Sequence, residues 1–299
     1  MAKYEWSEVF MSIEGEAKYS GHPTGYIRFV KCNFECKSFN NPNNIDTTTV
    51  EGLGFDPKDY KDIYTIPLIT KGCDSIYSWD PKFEHMWKKG DEHQLAAELI
   101  DVLPHHSFIN PNTKKPVIIS LTGGEPTLRA KFIPVLLNTE EFKDCKHILI
   151  ETNCAVPLNW KFVMAINQWL AVDLSRKWTW SNSPKLSVSG EKWDEAIRPE
   201  IAMMQRMATG DIDHAKQMEQ YFKFVCGPSD KDFDEVAKAM EEYYKAGVPR
   251  DTEVYIMPVA CQQSDQNDIA SRVARMCMDR GFIYCHRVHL DVFGNTTGT

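Results

Sequence analysis

Short runs rich in β-branched and aromatic residues alternate along this chain with longer amphipathic stretches, and that alternation limits the fold more than any other feature. GYIRFVK (25–31), PVIISLT (116–122), KHILIET (146–152), QWLAVDL (168–174), QYFKFVC (220–226), TEVYIMP (252–258) and YCHRVHL (284–290) predict strands. The segments 92–103, 191–208, 230–247 and 264–281 predict helices, with Asp230 and Ser264 at N-cap positions and Gly247 and Gly281 at C-terminal stops. Strand, helix and strand in succession build right-handed βαβ units and a mostly parallel sheet, here long enough to curl into a partial (β/α)6-type barrel. The expected class is therefore α/β. Residues 37–72 and 175–190 interrupt the rhythm with polar, turn-rich sequence and predict loop insertions at strand ends. No repeat of fixed period is present, and 299 residues suit one domain spanning 1–299.

Charge and apolar content exclude several classes. A net charge of -8 argues against nucleic acid, whose backbone is gripped by clustered Lys and Arg. No apolar run approaches the roughly 18 residues of a membrane span, and MAKYEWSEVF lacks the basic and apolar regions of a signal peptide. A cytoplasmic protein acting on a small molecule is expected. Nine cysteines, an odd number without a secretory signal, predict reduced thiols, most of them, such as Cys226, buried as small hydrophobes.

Chemistry-bearing residues follow the predicted strands. Cys32 and Cys36 follow the first, Gly123-Gly124-Glu125-Pro126 the second, Glu151-Thr152-Asn153 the third, a Ser/Lys-rich loop the fourth, Met257-Pro258 the sixth and His289 the last. In β/α barrels the C-terminal rim of the strands assembles the active site, so these motifs should meet in one cleft. Turn residues at strand ends explain one or two of them, but poorly explain all. The Gly-Gly pair exposes backbone groups on which a ligand's ammonium or carboxylate could sit. His105, His106 and Asp265 read as solvated surface.

Cys32-x3-Cys36 after one strand and GGEP after the next resemble the radical S-adenosylmethionine (SAM) superfamily, in which three cysteines hold a 4Fe-4S cluster. The third cysteine of that pattern would fall at position 39, which is Phe39. The stretch GCDSIYSW (72–79) resembles the Cys-Asp-Thr-x-Tyr-x-Trp segment carrying the third cysteine in the 7-carboxy-7-deazaguanine synthase family, so Cys73 becomes the displaced ligand. That family is similar at further points: FMSIEGEAKYSG (10–21), YIRF (26–29), ETNC (151–154), SPKLSVSGE (183–191) and RVHLDVFGNTTGT (287–299).

The resemblance implies roles residue by residue. Cys32, Cys36 and Cys73 would ligate the cluster, and Ser75 would hold Mg2+. Gly72, Cys73, Asp74, Gly124, Glu125, Ser183, Pro184, Lys185, Met257, Pro258, Val259 and Ala260 would form the SAM site. Ile13, Glu14, Gly15, Arg28, Thr122, Glu151, Asn153, His289 and Thr299 would hold the substrate, 6-carboxy-5,6,7,8-tetrahydropterin. Arg28 offers a planar fork suited to a carboxylate, and Glu151 offers acceptors for pterin N–H groups. The same resemblance implies an electron donor such as flavodoxin and a homodimer.

The chain departs from the family at Glu14, usually glutamine, at Gly72, usually aromatic, and at Cys154, usually glycine. Ser175-Arg176-Lys177 offers a second Ser-x-Lys beside Ser183-Pro184-Lys185, which is favoured for the LSVSGE that follows it. Rival readings are another radical SAM enzyme such as a glycyl-radical activase, a structural zinc module, which needs a fourth ligand, and a relative that binds pterin or SAM without turnover.

Overall fold

The computed structural model describes residues 3–207, 216–294 and 296–298, and it is built on a single nine-stranded sheet. Strands β1 (Tyr4–Ile13) and β2 (Pro23–Phe29) form an antiparallel hairpin. The segment after β2 includes a short helix, α1 (Val50–Leu53), and leads to β3 (Lys88–Gly90), which pairs with the outer side of β1. Helix α2 (Glu92–Val102) then starts the β/α succession: β4 (Ile118–Gly123), α3 (Ile133–Leu137), β5 (His147–Thr152), α4 (Trp160–Ala171), β6 (Lys177–Asn182), α5 (Trp193–Ala196), α6 (Pro199–Arg206), β7 (Met218–Cys226), α7 (Asp230–Ala246), β8 (Val254–Pro258), α8 (Gln263–Arg280), β9 (Ile283–Tyr284) and α9 (Val288–Phe293). The strand order is β3-β1-β2-β4-β5-β6-β7-β8-β9, parallel from β2 onward. The expected α/β class and partial-barrel sheet are observed.

The two faces of the parallel strands carry different chemistry because side chains alternate along a strand. Ile119 and Leu121, Ile148 and Ile150, Trp178 and Trp180, and Phe222 and Phe224 belong to the main core beneath the helices. The intervening residues face inward. Ile118, Leu149, Tyr221 and Tyr255 close the lower interior together with Tyr19, whereas Thr122, Glu151, Lys223 and Met257, at or near the C-terminal ends, line an open cavity above them. At about 25 cal/mol per Å2, the apolar outer rows hold the sheet to its helices and leave the polar inner rows available for chemistry.

Several elements differ from the sequence expectation. QWLAVDL (168–174) is not a strand: it is the end of α4 and the turn after it, because Phe162, Val163, Ile166, Trp169 and Leu170 bury one helical face while Val172 and Leu174 remain 73% exposed. The fourth parallel strand is β6, inside the predicted loop 175–190; its alternation of Trp178 and Trp180 with Thr179 and Ser181 satisfies both faces. YCHRVHL (284–290) holds only the last residue of β9, then turns into α9. The predicted helix 191–208 breaks at Ile197-Arg198, where Pro199 begins α6, and its residue 208 lies outside the described residues. The N-caps are Ser229, whose hydroxyl accepts from Asp232 N–H, and Gln262, rather than Asp230 and Ser264. Gly247 and Gly281 do end their helices in left-handed conformation.

Segment 37–72 is mostly loop, yet it has a satellite core. Ile63 and Ile69 are buried with Ile76, Tyr77, Phe83 and Met86, and Leu53, Phe55, Tyr60 and Ile66 pack around them. That cluster fixes the chain on either side of Cys73. Among the described residues no helix is long and apolar enough to cross a membrane.

Candidate active site

The strand ends converge on a cavity of about 470 Å3. Cys32, Cys36 and Cys73 all line it, although 36 residues separate the last two. Burial pushes the Cys32 thiol up to about 12, and burial likewise raises Cys36 and Cys73. The Lys185 ammonium opposes that shift at all three. Cys36 is buried and Cys32 and Cys73 are half-buried; three such thiols facing one cation are poor thiolates alone and good ligands for a cationic iron-sulfur centre, so the donor set fits a cluster. Among the described residues no group of three or more His, Cys, Asp or Glu is gathered tightly around one point.

The glycines of GGEP serve the packing of these loops. A Cβ on Gly123, whose φ is +142°, would lie 2.2 Å from Phe29 O, and one on Gly124 would lie 2.3 Å from Lys31 O. Their amides do not wait for a ligand: Gly124 N–H donates to Phe29 O at 3.2 Å, and Glu125 N–H to Lys31 O at 2.9 Å. Glu125 is fully buried behind the cavity wall. Its carboxylate accepts from Thr127 N–H, Thr152 Oγ1 and Asn153 N–H, joining the ends of β4 and β5.

A chain of charges surrounds the cavity. Glu8 accepts from Arg28 Nε at 2.7 Å and from Tyr77 OH at 2.9 Å; Arg28 Nη1 reaches Ser75 Oγ at 3.3 Å, and Ser75 donates to Asp74 at 3.1 Å. Asp74 then pairs with Arg287 at 3.1 Å, Arg287 with Glu16 at 3.1 Å, and Glu16 with Lys223. Burial lowers the basicity of Arg28, but Tyr77 and Glu8 outweigh it and raise its pKa. Burial opposes ionisation of Glu16, yet Lys223 and Arg287 hold its carboxyl far below the usual range. Arg28 is thus tied to a buried carboxylate, and not to a surface partner.

Glu14 stands apart from this ring. It is 3% exposed and accepts from Glu16 N–H and Tyr26 OH, each at 3.2 Å. Burial and then the Glu151 charge raise its pKa well above the ordinary 4.5. Glu151 in turn accepts from Ser120 Oγ at 3.2 Å and Thr122 Oγ1 at 3.1 Å.

The remaining sequence-predicted residues distribute as follows. Ile13, Gly15, Gly72, Ser183, Met257, Pro258, Val259 and Ala260 line the cavity; Pro184 lies between Ser183 and Lys185, which also line it. Asn153 faces it too, but Asn153 Nδ2 donates to Asn33 Oδ1 at 2.7 Å and Asn153 Oδ1 accepts from Ala155 N–H, so its amide braces the cysteine loop. His289 sits on α9, not a strand, and packs so tightly that a Cβ on Gly15 would lie 1.8 Å from His289 Nδ1; burial and Arg287 lower its pKa to about 4. Thr299 lies outside the described residues. Ser175 and Lys177 are absent from the cavity: Lys177 pairs with Glu219 at 2.7 Å at the start of β6, while Ser183 and Lys185 follow its end. Cys154 is buried with φ +58°, a conformation glycine adopts freely. His105 and His106 are exposed, and Asp265 accepts from Asn40 Nδ2 at 3.3 Å.

Sequence reasoning passed over Glu8, Glu16, Tyr26, Lys223 and Arg287, all of which line the cavity. A signal existed for two: Glu8 and Lys223 are charges inside apolar strands at inward positions. Segment 37–72 also contributes Tyr64, Ile66, Pro67, Leu68 and Ile69 to the wall, which its polar composition did not announce.

No family model matches the chain. Over nearly its whole length it is similar to two proteins named 7-carboxy-7-deazaguanine synthase. One, from Rhodopirellula baltica, is 25% identical over 98% of this chain and 88% of the relative. The other, from Pyrobaculum aerophilum, is 24% identical over 97% of this chain and 95% of the relative. Among solved structures, the crystal structure of QueE from Escherichia coli aligns with a TM-score of 0.48 at 14% identity, covering 96% of this chain and 95% of that one.

Proposed function

We propose that the chain is a 7-carboxy-7-deazaguanine synthase, a single-domain radical SAM enzyme that contracts the ring of 6-carboxy-5,6,7,8-tetrahydropterin with loss of ammonia. The observation that carries this reading is the return of Cys73 to the cavity of Cys32 and Cys36, beside a wall of buried acids and cations. The full-length similarity to proteins of that name supports it.

Cys32, Cys36 and Cys73 would hold the 4Fe-4S cluster, and Ser183, Lys185, the Gly72–Asp74 turn and the 257–260 strand end would receive SAM. When bound, the pair supplies a one-electron cleavage that yields a radical able to take hydrogen from carbon. The protein's residues then position and shield the substrate. Arg28, fixed by Glu8, directs its guanidinium toward the substrate carboxylate, and Glu151, fixed by Ser120 and Thr122, offers acceptors to ring N–H groups. Ser75 Oγ and the adjacent Asp74 carboxylate are hard oxygens suited to Mg2+. Burial and the Glu151 charge disfavour the ionised form of Glu14, and its protonated form presents one donor and one acceptor, as an amide would. Wall residues from the insertion exclude water from the reacting centre. An electron donor such as flavodoxin, a cytoplasmic setting and a homodimer belong to the same reading.

The test is anaerobic reconstitution with iron and sulfide, then incubation with SAM, reductant, Mg2+ and the pterin, read by mass spectrometry. The expected mass is that of 7-carboxy-7-deazaguanine, and Cys73→Ala should lose both chromophore and product. SAM cleavage without that product would remove the substrate assignment; an intact cluster in Cys73→Ala would remove the ligand assignment.

A further inference from the structure

The three cysteines do not receive the same backbone hydrogen bonds. Phe34 N–H, two residues further along, donates to Cys32 Sγ at 3.4 Å. The corresponding donor after Cys36 is Ser38 N–H, and it is taken by Ser189 O at 3.1 Å. The two donors nearest Cys36 are taken as well: Glu191 Oε1 accepts from Glu35 N–H at 3.0 Å and from Cys36 N–H at 2.7 Å. Cys36 itself has φ +49°, left-handed backbone that a non-glycine residue holds only when its surroundings impose it.

The strip that captures these donors is firmly placed. Gly190, at φ +87°, lies so close that a Cβ there would sit 2.5 Å from Ser38 Oγ. Ser187 donates its N–H and hydroxyl to Glu235 of α7, at 2.9 and 2.6 Å, and Glu191 N–H returns to Ser189 Oγ at 3.2 Å. Upstream, the same loop carries Lys185 into the cavity.

Hydrogen bonds to the cysteine sulfurs and nearby charge set the reduction potential of an iron-sulfur cluster. From this geometry we infer that Glu191 is a positioning residue that keeps the potential of the cluster low. It pins the Cys36 turn through Glu35 N–H and Cys36 N–H, in the geometry that sends Ser38 N–H to Ser189 O, and sets a carboxylate beside Cys36. Fewer N–H···S bonds and one more negative charge both disfavour the added electron, which makes the reduced cluster a stronger donor. The inference rests on the proposed cluster and assigns work to a residue outside its ligands.

The experiment is a redox titration of the reconstituted holoenzyme, followed by electron paramagnetic resonance, with iron content measured in parallel. Glu191→Gln keeps an acceptor and removes the charge; Glu191→Ala removes both. At a fixed solution potential near the wild-type midpoint, the reduced-to-oxidised ratio should rise about tenfold in Glu191→Gln, equivalent to about 59 mV for one electron. It should rise further in Glu191→Ala. An unchanged midpoint in Glu191→Gln with full iron content overturns the inference, including when Glu191→Ala loses its iron and Glu191 is thereby shown to be a scaffold alone. Absence of a chromophore in the wild type instead overturns the cluster on which it rests.

Discussion

Glutamine at position 14 should make the protein more stable, and increasingly so as pH rises. Glu14 is enclosed at 3% exposure, faces Glu151, Glu16 and Lys223, and accepts only from Tyr26 OH and Glu16 N–H among its described contacts. Burial is the largest influence, the Glu151 charge adds to it, and Lys223 offsets only part, so the folded pKa lies well above the ordinary 4.5. The sign follows from proton linkage. Between the unfolded and folded values the native state holds the extra proton, so its stability is full below about 4.5 and declines as pH climbs toward the folded value. One proton sets a ceiling of about 1.4 kcal/mol per pH unit. Glu14→Gln has no such proton. Its advantage over wild type should be smallest at pH 4.5 and grow with pH by no more than about 1.4 kcal/mol per unit until the folded value is passed. Urea unfolding of both proteins before iron is added, at pH 5, 6 and 7, gives the difference, in which other titrating groups cancel. A difference that does not change with pH, or one that favours wild type as pH rises, would show Glu14 ionised in the fold and refute the reasoning.

The charged ring and the Ser-x-Lys assignment yield two more outcomes. Arg28→Ala strips fully buried Glu8 of its cation and should cost about 3–5 kcal/mol in thermal unfolding; adding Glu8→Gln should recover part of that loss, and a cost under about 1 kcal/mol with no recovery would contradict the buried pairing. Lys185→Ala should weaken SAM binding in equilibrium dialysis about tenfold or more, the worth of one charge-assisted hydrogen bond, while Lys177→Ala leaves it within about twofold. The opposite ranking would move the contact to the start of β6.

Where apolar strands are buried on both faces, the sequence was legible. The runs at 116–122, 146–152, 220–226 and 252–258 match β4, β5, β7 and β8 to within two residues at either end, since dense β-branched and aromatic residues suit a covered parallel sheet. The fourth strand was missed because β6, KWTWSN, holds no aliphatic residue: Trp178 and Trp180 bury outward while Thr179 and Ser181 face in, so its average composition resembles a loop. QWLAVDL was misplaced for the converse reason, an apolar run whose buried members are spaced for a helix. At the site, motif residues with unusual local sequence were found, including the distant Cys73. Glu16 and Arg287 escaped because their significance lies in pairing across sequence separations that no local pattern records, whereas Glu8 and Lys223 were visible as charges within strands and their partners were not.

Among the described residues the sheet does not close. An open sheet leaves two borders where an extended segment of another molecule could dock and continue the sheet. Here both borders end in strands of almost no length: β3 offers three residues, two of them lysines already engaged with Glu98 and Glu5, and β9 offers two. So short a template gives an incoming strand few backbone groups to pair with and places charge where it would have to settle. The outermost strands of the open sheet are thereby poor seeds for edge-to-edge aggregation.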